Sequence, residues 1–312
     1  MEHFGVIDLG SNSVRLTVTR IDDDGATETV LAEKEAVRLS ENMGPEKTLK
    51  QPAIDRTLTA LESFRQSYKN LENLKIRAVA TAATRMAVNQ KEFLKLVKKE
   101  AGISLEVIPG SAEAHYDYLG VINSLPVVNC VIMDTGGAST ELILVQNRRA
   151  VNMMSIPLGS VNLTEAYLEP DVISASGLFR LFTAMENVYN DLWWLDRGKN
   201  MPIVALGGSN RTLAKIQRRR DHFKQFWDIH GFRMTARQAN EIFDEILSTN
   251  LADRKNIPGL SKERSDIIAG GLSPLVLLTR HLDSDRLIFS RQGLRDGILY
   301  EHLNDLENDG VI

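Results

Sequence analysis

The sequence predicts an α/β protein made of two similar domains. Two observations carry this prediction: strand and helix patterns alternate along the chain, and one strand-turn-strand segment occurs twice. The two segments read GVIDLGSNSVRL at residues 5–16 and VIMDTGGASTEL at residues 131–142, and their aspartates lie 126 positions apart (134 minus 8). With 312 residues, the chain is long enough for about two domains of ordinary size.

The first half of the chain shows a β-β-β-α pattern followed by further strands and helices. Its predicted strands cover residues 4–8, 14–21, 27–40, 76–81 and 105–108, and its predicted helices cover residues 52–68, 92–101 and 111–119. Pro52 opens the first of these helices, whose apolar residues recur at steps of three and four. Leu125-Pro126 marks the predicted boundary between a first domain, residues 1–125, and a second, residues 126–312.

The same order of elements restarts after the boundary. Strands are predicted at residues 127–134, 141–146, 150–157 and 203–206, and helices from about residue 161, at 172–195 and at 235–247. Thr235 with Gln238 three residues later resembles a capping box for the last of these helices. The chain is therefore predicted to contain a duplicated unit.

Composition and charge exclude several classes of protein. The 43% hydrophobic and 25% charged residues are typical of a globular chain, and the net charge of -4 argues against a general nucleic-acid binder. The single cysteine, Cys130, excludes an internal disulfide framework and fits a reducing compartment. No signal-peptide pattern opens the sequence, and the longest apolar stretch, residues 267–279, is too short to span a bilayer. We expect a cytoplasmic protein without a membrane partner.

The two repeated turns align without a gap. The matched residues are Asp8 with Asp134, Gly10 with Gly136, Ser13 with Ser139 and Arg15 with Glu141. Glycine lets a backbone approach a ligand closely, and successive amide groups in such a turn form a nest that binds anions. An aspartate cannot bind the same anion directly, but it can share a divalent cation with phosphate oxygens. The turns therefore predict a site for phosphate and a metal ion.

A third glycine turn, ALGGSN at residues 205–210, follows another apolar strand and opens a helix, so its amides point toward a helix N-terminal anion site. Each turn alone is better explained by an ordinary β-turn. Three turns at corresponding strand ends, two of them with matched aspartates, favour a phosphoryl site in a cleft between the two domains.

Several motifs, taken in order, make the chain similar to one known family. They are GVIDLGSNSVRL, AVATAATRMAVN, IPGSAEAHYDYLGV, IMDTGGASTEL, IPLGSVNLTE, ALGGSNRTLAKI, ERSDIIAGGLSPL and SRQGLRDGILYEHL. This set resembles the exopolyphosphatase and guanosine pentaphosphate phosphohydrolase (Ppx/GppA) family, within the superfamily of actin, sugar kinases and the Hsp70 ATPase domain. The resemblance implies duplicated actin-like (ribonuclease H-like) domains of the short, two-domain type.

The resemblance also implies which residues bind phosphate. They are Gly10, Ser11, Asn12 and Ser13 in the first turn, Gly136, Gly137, Ala138, Ser139 and Thr140 in the second, and Gly207, Gly208 and Ser209 in the third. Two residues depart from the family pattern: Ala138 replaces the usual third glycine, and Ala82 stands where serine is frequent. The added methyl group of Ala138 is expected to narrow the site or alter its preferred substrate.

The family resemblance assigns the catalytic base to Glu113. From the residues alone, Glu113 is explained equally well as a favourable carboxylate in the first turn of a helix. Glu141 is the second candidate, which orients water or binds a cation through water. Asp134, and with less support Asp8, are expected to hold Mg²⁺ or Mn²⁺, and Arg85 is expected to contact phosphate, with a surface ion pair as its alternative.

The expected activity is metal-dependent release of the terminal phosphate from inorganic polyphosphate. The alternatives are hydrolysis of guanosine pentaphosphate, a nucleotide- or polyphosphate-binding regulator without turnover, and a sugar kinase. A homodimer is expected, with Trp193 and Trp194 as core or dimer contacts. The basic residues near 215–224, which include Arg218, Arg219 and Lys224, are explained either as a solvated helix face or as a track for polyphosphate.

Overall fold

The structure is a computed structural model that describes residues 1–310, and the chain divides into two compact units. The first unit contains Met1–Gly120 and the C-terminal segment from Leu294 onward, and the second contains Val121–Gly293. In the described residues the strands are β1 (Glu2–Leu9), β2 (Val14–Ile21), β3 (Thr27–Glu35), β4 (Leu74–Ala80), β5 (Glu106–Val107), β6 (Cys130–Thr135), β7 (Thr140–Gln146), β8 (Arg149–Ile156), β9 (Ile203–Gly207), β10 (Arg233–Thr235) and β11 (Arg286–Phe289).

The α-helices of the same residues follow in chain order. They are α1 (Gln51–Tyr68), α2 (Ala82–Met86), α3 (Gln90–Ala101), α4 (Gly110–Ser124), α5 (Ser160–Tyr167), α6 (Ala175–Asp191), α7 (Gly208–Arg220), α8 (Ala236–Ser248), α9 (Leu251–Arg254), α10 (Ile268–His281) and α11 (Leu294–Asn308). Short 3₁₀ helices span Leu195–Gly198 and Lys262–Arg264.

Each unit contains one mixed sheet, and the two sheets share a strand order. The first sheet is ordered β3-β2-β1-β4-β5, with antiparallel pairs among β1, β2 and β3 and parallel pairs from β1 through β4 to β5. The second is ordered β8-β7-β6-β9-β11-β10, with the same sequence of antiparallel and parallel pairs up to β11 and an antiparallel edge strand, β10. The two units therefore repeat one topology.

Helices cover both faces of the first sheet. Along β1, Ile7 and Leu9 face a core shared with α1 and α3, while Phe4 and Val6 face a second core. This alternation follows from the two-residue period of a β-strand. The second core is completed by Ile298 of α11. The central strand β1 is thus buried on both faces within its own unit.

The C-terminal helix α11 belongs to the first unit, whereas the sequence prediction placed residues 126–312 together in the second domain. A Cβ added at Gly297 of α11 would lie 2.0 Å from the carbonyl oxygen of Tyr116, so glycine allows α11 to approach α4 closely. Arg77 of β4 donates from Nη1 to Glu301 at 2.6 Å, which fixes the helix against the sheet. The division between the units falls inside α4, between Gly120 and Val121, rather than after Leu125.

Several element boundaries also differ from the sequence prediction, and two of them have a clear local reason. The third strand ends at Glu35 instead of residue 40, and Arg38 has a φ of 45°, which an extended strand cannot contain. The long helix predicted at residues 172–195 covers Ala175–Asp191, because the Ser174 side chain caps its start by accepting from the Gly177 amide at 3.2 Å.

Candidate active site

The first glycine turn joins β1 to β2. Its backbone closes through a hydrogen bond from the Gly10 amide to the Ser13 carbonyl at 3.1 Å. A Cβ at Gly10 would lie 3.2 Å from that same carbonyl oxygen. Asp8 and Arg15 are directly opposite each other on the two strands.

The second glycine turn joins β6 to β7 and has the same geometry. The Gly136 amide donates to the Ser139 carbonyl at 2.9 Å, and a Cβ at Gly136 would lie 3.1 Å from that oxygen. Asp134 is directly opposite Glu141. The aspartates of the two turns are therefore equivalent in position, but one has a cation and the other a carboxylate as its cross-strand neighbour.

Hydrogen bonds to the backbone carbonyl groups of both turns fix the turns in place. Ser40 donates its amide and its hydroxyl to the Ser11 carbonyl, at 2.9 and 3.2 Å. In the second unit, Ser160 donates its amide and hydroxyl to the Gly136 carbonyl, at 2.9 and 3.0 Å, and the Val161 amide donates to Gly137 at 2.8 Å. The start of α5 is thus used to hold the second turn.

The amides of the same turns remain available. Across residues 1–310, no hydrogen bond to a protein acceptor is made by the amides of Ser11, Asn12, Ser13, Gly137, Ala138 or Ser139. Buried backbone amides normally have partners, so a row of unpaired amides in a tight turn is suited to an anion. Both turns therefore present donors that fit phosphate oxygens.

Side chains in the turns serve mostly as supports. The Ser11 hydroxyl accepts from the Ala83 amide at 3.2 Å, which joins the first turn to α2. Thr140 donates its hydroxyl to the Leu158 carbonyl at 2.6 Å. Ala138 is 2% exposed and does not have a positive φ, so its methyl group is accommodated without backbone strain. A Cβ at Gly159 would lie 2.7 Å from the Ala138 amide nitrogen, so Gly159 packs directly on the second turn.

The third turn leads from β9 into α7 and lies beside Asp134. Gly207 has a φ of 93°, and a Cβ there would lie 2.3 Å from the Thr135 carbonyl and 2.7 Å from Asp134 Oδ1. Only glycine fits this position. Asn210 donates to Thr135 Oγ1 at 3.2 Å and so ties the third turn to β6. The Ser209 hydroxyl is buried and has no hydrogen-bond partner in the described chain.

Arg264 lies over the start of α7, and the sequence prediction did not assign it a role. A Cβ built at Gly208 would be 2.2 Å from Cζ and Nη2 of Arg264, so the guanidinium group covers this glycine. A helix N-terminus carries partial positive charge, and a cation beside it is favourable when an anion lies between them. The ERSDIIAGG motif contained Arg264, but no local pattern indicates that it reaches Gly208.

The carboxylates of the second unit suit a metal ion that is shared with phosphate. Asp134 and Glu141 are paired across β6 and β7, so their side chains leave the same face of the sheet. Ser155 donates its hydroxyl to Glu141 Oε1 at 2.7 Å. No cluster of three or more His, Cys, Asp or Glu residues that could hold a metal occurs in residues 1–310. Two carboxylates nevertheless fit Mg²⁺, which commonly takes its other ligands from water and phosphate.

Glu113 and Arg85 form an ion pair in the first unit. Glu113 lies in the first turn of α4 and is largely buried. Arg85 lies in the last turn of α2, whose start is bonded to the first glycine turn. Arg85 donates from Nη1 to Glu113 Oε2 at 3.1 Å and to the Ile108 carbonyl at 3.0 Å. The Nε and Nη2 groups of Arg85 make no hydrogen bond to any described residue. The sequence prediction gave a surface ion pair as the alternative role of Arg85. The observed ion pair is partly buried, and it leaves two Arg85 nitrogens as donors for a phosphate.

The basic residues near the end of α7 lie far from the third turn. Arg220 closes α7 twelve residues after Gly208, which corresponds to about 18 Å at about 1.5 Å per residue. Arg218 lies over the Phe223 ring at 4.2 Å and donates to the Gln225 carbonyl at 3.0 Å, while Arg219 lies 3.4 Å from the centre of the Phe226 ring. These contacts support a helix face that holds the following loop, rather than a polyphosphate track.

Two other sequence features have a structural explanation. Cys130 is fully buried in β6, and burial raises the pKa of its thiol to about 12, so it is not a nucleophile at neutral pH. Trp194 is buried in the core of the second unit, whereas Trp193 is exposed. Among the helices of residues 1–310, none combines the length and apolar character needed to cross a bilayer.

A family model described as the Ppx/GppA phosphatase family matches residues 17–306. The chain belongs to this family. A solved structure of the Aquifex aeolicus PPX-GPPA enzyme is similar to it, with 30% identity, a TM-score of 0.78 and coverage of 96% of this chain and 98% of the other. The α/β fold of duplicated actin-like units is shared with the solved exopolyphosphatase of Cytophaga hutchinsonii, which has 23% identity, a TM-score of 0.87 and coverage of 97% and 98%.

The curated relatives that this chain matches are longer than it. A bifunctional 3-dehydroquinate synthase/phosphatase of Fusobacterium nucleatum is 28% identical over 97% of this chain and 46% of the relative. A guanosine-5'-triphosphate,3'-diphosphate pyrophosphatase of Aeromonas salmonicida is 28% identical over 95% of this chain and 58% of the relative. The chain therefore spans about half the length of the curated relatives it matches.

Proposed function

We propose that this chain is a metal-dependent exopolyphosphatase, which hydrolyses the terminal phosphoanhydride bond of inorganic polyphosphate and releases phosphate. One observation carries the proposal: the two matched glycine turns present unpaired amides, and the first turn is bonded to α2. Helix α2 contains Arg85, and Arg85 forms an ion pair with Glu113. Phosphoanhydride hydrolysis requires hydrogen-bond donors that bind the phosphate oxygens and a carboxylate that acts as a base.

In this proposal Glu113 orients the attacking water and accepts its proton. The water oxygen forms a bond to the terminal phosphorus, the bridging P–O bond breaks, and its electron pair leaves with the shortened chain. Arg85 holds Glu113 through Nη1, and its remaining donors contact phosphate oxygens as charge moves onto them. The amides of the first glycine turn, whose Ser11 hydroxyl is bonded to α2, stabilise the same charge without reorganising.

Asp134 and Glu141 are the residues that would hold Mg²⁺ or Mn²⁺. The bound ion would supply positive charge that neutralises phosphate oxygens. Asp8 is a weaker candidate, because Arg15 lies opposite it where Glu141 lies opposite Asp134. Ser155 fixes the Glu141 carboxylate through its hydroxyl, so that Glu141 keeps one orientation.

Guanosine pentaphosphate hydrolysis is the second candidate function. It breaks the same type of bond, and the name of the Aeromonas salmonicida relative favours it. A regulator without turnover is less well supported, because Glu113, Asp134 and Glu141 are all present.

Phosphate release from the pure protein tests the proposal. Polyphosphate, guanosine pentaphosphate and ATP are each incubated with the protein, with and without Mg²⁺. Mg²⁺-dependent release that is fastest from polyphosphate is the expected result. Preferential release from guanosine pentaphosphate would replace the first proposal with the second, and release from none of the three would support a regulator. Transfer from ATP to a sugar would instead indicate a kinase.

A further inference from the structure

Arg254 is a buried arginine that the proposed reaction does not use directly. It is 1% exposed, and its guanidinium group donates to four backbone carbonyls: Ile246 at 3.3 Å, Ser265 at 3.1 Å, Asp171 at 3.0 Å and Thr249 at 2.8 Å. These carbonyls come from the end of α8, the segment before α6 and the segment before α10. Arg254 therefore joins three separate parts of the second unit.

Carbonyl dipoles, rather than a bonded carboxylate, hold this cation. Burial lowers the pKa of Arg254, and the charges of Asp171 and Asp266 oppose that shift. A buried cation is costly unless all its donors are satisfied, and the planar fork of arginine satisfies several acceptors in fixed directions. Lysine has three donors on one atom and cannot reproduce this arrangement.

One of the four carbonyls belongs to the residue that follows Arg264. By holding Ser265, Arg254 fixes the segment from which the Arg264 side chain reaches Gly208. The same segment is fixed at its other end by Gly259, where a Cβ would lie 2.9 Å from the Ile216 amide nitrogen of α7. The segment thus lies along α7, with Gly259 at the middle of the helix and Arg264 at its start.

We propose that Arg254 is a positioning residue, which sets the Arg264 guanidinium over the N-terminus of α7 for phosphate binding. This inference rests on the proposed function, because it assumes that the start of α7 binds a substrate phosphate. Arg254 does not contact the ligand. Its effect on affinity is transmitted through Arg264, so it disappears when the Arg264 guanidinium is removed.

The test is a double-mutant cycle read by equilibrium binding. Binding of tripolyphosphate is measured by calorimetry in a Glu113→Gln background, which is expected to slow turnover, for Arg254→Lys, Arg264→Gln and the double variant. Arg254→Lys is expected to raise Kd about tenfold, equivalent to about 1.4 kcal/mol, when Arg264 is present. In the Arg264→Gln protein the same substitution is expected to change Kd less than about twofold, because interacting residues are not additive.

Arg148→Lys is the matched control, since Arg148 also donates to two backbone carbonyls of the second unit, those of Val127 and Ile122, at the opposite end of β7 from the second glycine turn. It is expected to leave Kd unchanged. If Arg254→Lys does not fold, Gly259→Ala displaces the same segment from its other end and is expected to show the same dependence on Arg264.

An equal loss of affinity in both Arg264 backgrounds, or no loss in either, would overturn the positioning role. Absence of tripolyphosphate binding in the parent protein would instead overturn the proposed function itself.

Discussion

Arg85 and Glu113 are joined by a single guanidinium nitrogen, Nη1, which lies 3.1 Å from Glu113 Oε2. Because that nitrogen also reaches the Ile108 carbonyl, Nε and Nη2 remain available to a substrate. One side chain can therefore fix the base and contact the phosphate that the base acts on. This arrangement gives Glu113 a fixed orientation before substrate arrives.

Glu113→Gln is expected to abolish most of the turnover while changing substrate affinity much less. The amide keeps the shape and the contact with Arg85 but cannot accept a proton, which typically costs a factor of about 10² to 10⁴. Steady-state phosphate release gives kcat, and calorimetry gives affinity. Near-normal kcat in a folded variant would move the role of base to Glu141 or to the substrate.

Asp134→Asn is expected to raise the Mg²⁺ concentration that gives half-maximal activity, because it removes one of two paired carboxylates. Asp8→Asn is the matched control: it changes the equivalent residue of the other turn, which faces Arg15. We expect a smaller shift for Asp8→Asn. Mg²⁺ titrations of the initial rate measure both, and equal shifts would show that the cross-strand neighbour does not decide where the metal binds.

Gly159→Ala is expected to displace the second glycine turn, because its Cβ would lie 2.7 Å from three backbone atoms of that turn. Activity should fall at least about tenfold, since displacement of a phosphate site by about 1 Å can cost 10²-fold. Ala138→Gly, which removes a methyl group from the same turn, is the companion variant. It should keep kcat within about threefold and lower stability by about 0.5–1 kcal/mol through added chain entropy. Thermal melts and initial rates separate the two effects.

Cys130 is expected to resist alkylation in the folded protein. With a thiol pKa of about 12, the thiolate fraction at pH 8 is about 10⁻⁴, and the buried side chain also excludes the reagent. Mass spectrometry after iodoacetamide treatment should show no adduct at pH 8 and one adduct in denaturant. Rapid native labelling would mean that β6 opens.

Arg218→Gln is expected to lower thermal stability without changing the preference for long over short chains. The substitution removes a stacked guanidinium over Phe223 and its bond to the Gln225 carbonyl. A contact of this kind contributes about 0.5–1 kcal/mol at an exposed site. The ratio of the affinities for tripolyphosphate and for long polyphosphate should stay the same. A selective loss of affinity for the long chain would support the polyphosphate track instead.

The glycine turns and the repeated sheets could be predicted because their signals are local. A strand that ends in aspartate and glycine is visible in a dozen residues, and the second copy at residue 134 strengthens the first at residue 8. Arg254 and Arg264 could not be found this way, since their partners lie in segments that only tertiary packing brings together. The sequence prediction extended β3 too far, because the Arg38 amide donates to the Asn12 carbonyl of the first turn. No strand pattern reveals this contact. The homodimer and the cytoplasmic location remain predictions from the sequence.

The return of α11 to the first unit has a consequence for how the protein is made. The second unit is one uninterrupted stretch of chain, Val121–Gly293, whereas the first contains residues from both ends of the sequence. During synthesis the second unit can fold as soon as it emerges, since domains generally fold as units. The first must wait for Ile298 to reach the apolar face of β1, so a nascent chain that stops before α11 exposes Phe4 and Val6. Arrested translation before residue 294 is therefore expected to leave an aggregation-prone first half beside a folded second one.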